Sequence, residues 1–112
     1  MKTFTLPNLR QGKPQVFCNY IFNRTSYSFK FVWCNEFCLL DIYIPKDDGN
    51  LYIVKGHPIV TDVDLISRVQ NPELISGKLI IKNKYGKDIE PDLYNFNTDF
   101  EMIYYSQDEL IE

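Results

Sequence analysis

Residues 26–44 read SYSFKFVWCNEFCLLDIYI, and this stretch decides the fold. Tyr27, Phe29, Phe31 and Trp33 alternate with Ser26, Ser28, Lys30 and Val32. That period of two puts four aromatic rings on one side of an extended chain and predicts a half-buried strand. Asn35-Glu36 supplies a turn. In residues 37–45, Cys38, Leu40, Ile42 and Ile44 then share one face, with Leu39, Asp41 and Tyr43 on the other. The two segments predict an antiparallel hairpin with Phe29, Phe31, Trp33, Leu40 and Ile42 in one core.

The same pattern extends both ways. From Gln15 to Phe22 the residues Val16, Cys18, Tyr20 and Phe22 fall on one parity, and Asn23-Arg24-Thr25 leads into the aromatic strand. Lys46-Asp47-Asp48-Gly49-Asn50 contains an Asp-Gly pair suited to positive backbone angles, so a second hairpin is expected to turn there into Leu51 to Lys55. Gly56 and Pro58 are expected to end that strand, and Pro58, lacking an amide hydrogen, suits an edge or a bulge. Asp62 to Val69 is the one helical candidate, with Asp62 as N-cap and Leu65, Ile66 and Val69 at helical spacing, but it reads equally as a single turn or an irregular loop. Asn71-Pro72-Glu73 breaks it. A strand around Leu79, Ile80 and Ile81, a polar loop through Gly86 and Pro91, and a final strand from Phe100 to Tyr105 complete the chain. Strands at this spacing with almost no helix between them predict an all-β antiparallel barrel or sandwich of about six strands. Residues 1–14, with Pro7, Gly12 and Pro14, read as an extended arm holding at most a short strand at Thr3 to Leu6; residues 15–106 form the β domain and 107–112 an acidic tail.

Composition narrows the function classes. A chain of 112 residues accommodates one domain, and 45% hydrophobic content excludes disorder, while no apolar run reaches the length of a membrane helix. No membrane insertion is expected. Met1-Lys2-Thr3 leads straight into mixed polar sequence, so synthesis in the cytoplasm without a signal peptide is the expectation. A net charge of -3 does not suit a nucleic-acid surface, which needs clustered Lys and Arg. Lys78, Lys82, Lys84 and Lys87 crowd one region and the C-terminal part is acidic, a bipolar distribution compatible with docking in an ordered assembly. Eight Tyr, eight Phe and one Trp exceed what a small core absorbs, so some rings are expected at a protein–protein interface.

No residue pattern announces chemistry. His57 is the one imidazole and stands between Gly56 and Pro58 with no nucleophile motif nearby. Ser67 and Ser76 lack a nucleophile-elbow context, and a Cys38, His57 and Asp41 triad has no support from spacing. Cys18, Cys34 and Cys38 make an odd set without scaffold spacing, so reduced thiols are expected; zinc at Cys34-x-x-x-Cys38 would need two further ligands, with only His57 and Cys18 available. Asp47-Asp48-Gly49-Asn50 lacks the calcium-loop pattern, and the Asp62 and Asp64 pair lacks further ligands. The expectation is therefore no enzyme, no cofactor and no metal. Asp41 is the unusual carboxylate, placed within an apolar strand; if buried, it would need a donor such as Arg24, Lys30 or a Tyr.

The order of motifs resembles the phage baseplate plug family. Trp33 ends a hairpin strand, Leu40-Asp41-Ile42 gives an apolar-Asp-Ile strand, Gly56-His57-Pro58-Ile59-Val60 gives a Gly-x-Pro-apolar-Val step, and Asp64-Leu65-Ile66 follows. The likeness extends to Gly77-Lys78-Leu79 and to Met102-Ile103-Tyr104-Tyr105, covering most of the chain from Phe17 to Tyr105. Two positions depart from the family pattern: Asp62 stands where a Gly follows the apolar-Val step, and Ser76-Gly77 replaces a Gly-Gly pair. The resemblance implies a structural protein of the virion tail, with Trp33, Asp41, Gly56, Pro58, Asp64, Leu65 and Gly77 as its motif residues. It implies packing at the baseplate hub between tail tube and spike or central tip proteins, in several symmetry-related copies. The alternative is a ligand-binding β-barrel module in which Tyr and Trp stack on carbohydrate.

Overall fold

The aromatic alternation is realised as the longest strand of an antiparallel sheet. The computed structural model describes residues 1–8, 15–22, 24–34, 37–67, 77–92 and 95–106. Among them are β1 (Lys2–Thr5), β2 (Gln15–Phe22), β3 (Thr25–Cys34), β4 (Phe37–Ile44), β5 (Leu51–Pro58), β6 (Lys78–Asn83) and β7 (Phe100–Tyr105), and no helix. Strands β2-β3-β4-β5 form a four-stranded meander, and β1-β7-β6 form a three-stranded sheet, antiparallel throughout. Neither sheet closes on itself, so the architecture is an all-β sandwich.

Register explains the core. In the larger sheet Val16 lies opposite Phe31 and Phe31 opposite Leu40, while Cys18, Phe29 and Ile42 make the next row. These rows face inward, and Phe29, Phe31, Leu40 and Ile42 are fully buried, as the sequence periodicity predicts. Trp33, expected among them, is half-buried at the margin and packs against the core opposite Cys38. The second sheet contributes Leu79, Ile81, Phe100, Met102 and Tyr104. Rings bridge the layers: Phe22 meets Tyr104 with centroids 4.9 Å apart and Phe31 meets Phe96 at 5.5 Å. Such edge-on aromatic contacts add to simple burial.

Residues 1–14, read as an arm, begin with a strand of the fold. Lys2–Thr5 pairs with β7 in the register Thr3 to Ile103, and Leu6 is buried. Phe4 reaches across to Tyr20 and Phe22, and the Tyr20 hydroxyl donates to the Thr5 carbonyl at 2.8 Å, tying β1 to β2 across the layers. The remainder of that segment from Leu9 to Pro14, and the tail over 107–112, lie outside the described residues. The clustered charges of the sequence are partly neighbours in the fold, since Lys82 lies directly opposite Glu101.

Candidate functional site

The motif residues make sense as a set of non-local bonds along one side of the sandwich. On β5, His57 lies opposite Leu40 and Val54 opposite Ile42, so Lys55 and Gly56 together stand across from Asp41. This is a β-bulge, and Gly56 takes the left-handed backbone angle it needs, with φ of 64°. The Gly56 N–H freed from the ladder donates to Asp41 Oδ1 at 2.6 Å. The donor to the half-buried carboxylate is thus a backbone amide, although Lys30 does stand opposite Asp41 on β3. Gly56 therefore bends the strand without ending it, and β5 runs on to Pro58, which closes it opposite Leu39. A second register shift lies between Ile42 and Tyr43.

The segment after β5 crosses to the other sheet. The Ile59 N–H donates to the Cys38 carbonyl at 2.9 Å and Ile59 is buried. The helix considered for Asp62 to Val69 is absent over the described part, and Val69 lies outside it. Asp62 has φ of 61°, incompatible with an N-cap, and its N–H donates to the Ile81 carbonyl. Asp64 is the organising residue. Its Oδ1 accepts from the N–H of Ile66 and of Leu79, each at 3.1 Å, while the Leu65 N–H donates to the Leu79 carbonyl at 2.7 Å. Both backbone groups of Leu79 are thereby satisfied by an irregular segment lying on the outer edge of β6. Leu65, 1% exposed, and Ile66 anchor it in the core. Thr61 is held from the far loop by Glu90, which accepts from its N–H at 3.1 Å and its hydroxyl at 2.9 Å. Neither the Asp41–Gly56 nor the Thr61–Glu90 pairing carries a local sequence signal.

Between the β5 edge and this segment opens a cleft of about 570 Å³. Gly56, Pro58, Asp64 and Leu65 line it, together with Ile53, Val54, Lys55, His57, Val63 and Ser67. Four of the motif residues thus converge. Asp41 joins them through Gly56, whereas Trp33 is outside the lining and Gly77, with φ of 110°, introduces β6.

The groups considered for chemistry are engaged otherwise. His57 Nδ1 lies 2.7 Å from the Pro58 carbonyl, so that nitrogen carries the hydrogen and donates. Cys38 is 2% exposed, and burial pushes its thiol pKa up to about 12, leaving almost no thiolate at neutral pH. Burial also raises the Cys18 thiol, against a lowering hydrogen bond from Tyr20. Cys34 is exposed at the end of β3, one residue beyond the Trp33–Cys38 pair, so the Cys34 and Cys38 side chains leave the sheet on opposite faces and do not share a ligand. Among the described residues no group of three or more His, Cys, Asp or Glu is placed to hold a metal ion.

Rings reach solvent at Tyr85, just past β6, which is 66% exposed, and on the outer face of the larger sheet. Tyr43 and Tyr52 pair at 5.4 Å, with the Lys55 ammonium 4.8 Å above the Tyr52 ring. Phe17 and Ile21 on β2 are each 59% exposed.

Against known protein families, the sequence matches the one described as Cyanophage baseplate Pam3 plug gp18 over residues 3–107. The chain belongs to this phage baseplate plug family. Comparison with curated proteins finds no match. The plug-family match takes in β2 to β7 complete and nearly all of β1, so membership applies to the sandwich as a whole. A plug-family chain has a structural role in the tail baseplate of the virion. No helix among the described residues is long and apolar enough to cross a membrane.

Proposed function

We propose that this chain packs at the baseplate hub, between the tail tube and the spike or central tip complex, as several symmetry-related copies that each touch non-identical neighbours. The observation that carries the reading is the family match across residues 3–107. The fold supports it. A sandwich whose irregular segment is locked by Asp64 and Glu90 is a stiff block, and stiffness limits the entropy lost on assembly. The work is mechanical, and no step of chemistry is assigned to His57, Cys38 or Asp41. The block is residues 15–106 together with β1 and the buried Leu6, while the rest of residues 1–14 and the acidic residues 107–112 are its docking extensions. The outer-face rings Tyr43 and Tyr52 offer large contact area with hydroxyls for orientation, the composition enriched at interfaces.

The carbohydrate-module reading needs a pocket with rings for stacking. The described lining of the cleft contains no Phe, Tyr or Trp, so nothing in it favours a sugar. Electron microscopy of tails from a phage carrying this chain tests the proposal. Density fitting this sandwich is expected in several copies around the tail axis, and Tyr43→Ala/Tyr52→Ala is expected to reduce incorporation while leaving the melting curve of the free domain nearly unchanged. Intact infectious particles lacking the protein would overturn it.

A further inference from the structure

Every sheet edge offers unpaired N–H and C=O groups, and folded proteins blunt such edges with charge, proline, bulges or a covering segment. Three of the four edges here are managed. β5 carries a bulge at Gly56 and ends at Pro58, β6 is overlaid by Asp62, Asp64 and Leu65, and β1 is four residues long and starts at Lys2. The fourth edge, β2, has none of these devices among the described residues. Its eight residues read QVFCNYIF, with no charge and no proline, and pair with β3 without a register shift. Among the described residues no strand pairs with its other side.

The pattern on that strand is symmetric. Phe17 and Ile21, each 59% exposed, stand two residues either side of Asn19 on the outer face. We propose that β2 pairs antiparallel with β2 of a second copy of this chain, about a two-fold axis through Asn19. In that register Phe17 faces Ile21 of the other copy, Ile21 faces its Phe17, and Asn19 faces Asn19. Because facing residues in an antiparallel pair point to the same side, the outer faces coincide and the core faces coincide. Both four-stranded sheets join into one, the four exposed apolar side chains form a single cluster, and no like charges meet. Neutral strands suit self-pairing, whereas a charged edge would repel its own copy. The contact is isologous, so it closes as a pair and does not propagate around an axis. It belongs to the free protein, where it shields the edge, and it stands independently of where the chain sits in a tail.

Sedimentation velocity on the purified full chain, from micromolar to near-millimolar concentration, is expected to show the mass doubling. Phe17→Lys is expected to weaken the dimer roughly tenfold or more by removing two apolar pairs. Adding Ile21→Glu to it restores association, because each introduced ammonium then faces an introduced carboxylate on the other copy. Facing Cα atoms lie about 4.5–5.5 Å apart, within disulfide range, so Asn19→Cys in a Cys18→Ser/Cys34→Ser background cross-links on oxidation. Phe17→Cys in the same background does not, since it faces Ile21. The cross-linking arm decides the matter even if a lysine variant folds poorly. A monomer at every concentration overturns the proposal, as does a dimer that survives Phe17→Lys and fails to cross-link through Asn19→Cys.

Discussion

Asp64→Ala isolates the bond that holds the irregular segment to the second sheet. The substitution removes one carboxylate oxygen that accepts two amides, those of Ile66 and Leu79 at 3.1 Å each. Hydrogen bonds to a charged acceptor contribute about 1.5–3 kcal/mol each. Here they share one oxygen in a half-buried setting, so the lower end applies and the pair amounts to about 2–3 kcal/mol. Leu79 is fully buried, which keeps water from replacing the lost acceptor at its amide. In urea denaturation the midpoint should fall with little change in slope, and a thermal scan should show a loss of about 10–15 °C. Asp64→Asn retains an acceptor oxygen of the same reach and should recover about half the loss or more. Native-state hydrogen exchange gives the local readout: the Leu79 amide should exchange roughly tenfold to a hundredfold faster in Asp64→Ala. A loss below about 0.5 kcal/mol, or unchanged Leu79 exchange, would refute the view that this carboxylate locks the edge of β6.

Further outcomes follow from the same contacts. Phe31→Ala should cost about 3–5 kcal/mol, read from denaturant unfolding, because its ring is fully buried between Leu40, Val16 and Phe96. Gly56→Ala meets no atom within 4 Å, so its penalty is backbone strain alone, about 1–2 kcal/mol, and Gly56→Asn should be milder. Cys34 should react with a thiol reagent in the native protein at pH 8, whereas Cys38 should react only on unfolding; mass mapping of labelled peptides checks this. Because the folded Cys38 thiol titrates near 12 and its ordinary value is 9.0, the unfolded chain releases that proton first, so stability falls as pH rises from about 9 to about 12. Tyr20, also raised by burial, acts with the same sign above its ordinary value of 10.0, so Cys38→Ala should remove only part of the slope in a pH series of melts.

What the sequence determined by itself was the set of strands and their inward faces. Side-chain direction in an extended chain alternates at every residue whatever the surroundings, so Tyr27, Phe29, Phe31, Leu40 and Ile42 declare one buried face locally. The turn at Gly49 was legible for the same reason, since its φ of 123° is a property of one residue. The motif order from Trp33 to Leu65 also carried the family, but not what its polar members do. Asp41 and Asp64 look alike in sequence; only the tertiary structure makes one the clasp of a bulge and the other the clasp of a sheet edge, each with an amide fifteen positions away. Gly56 read as a strand end because a bulge and a terminus use the same residue, and the partner strand decides between them. The edge position of β2 likewise follows from which strands find each other, β1 having joined β7 in the opposite layer. Periodicity records the geometry of one strand, whereas a hydrogen bond between distant segments depends on how the chain closes its loops, and that is settled only when both sheets are packed.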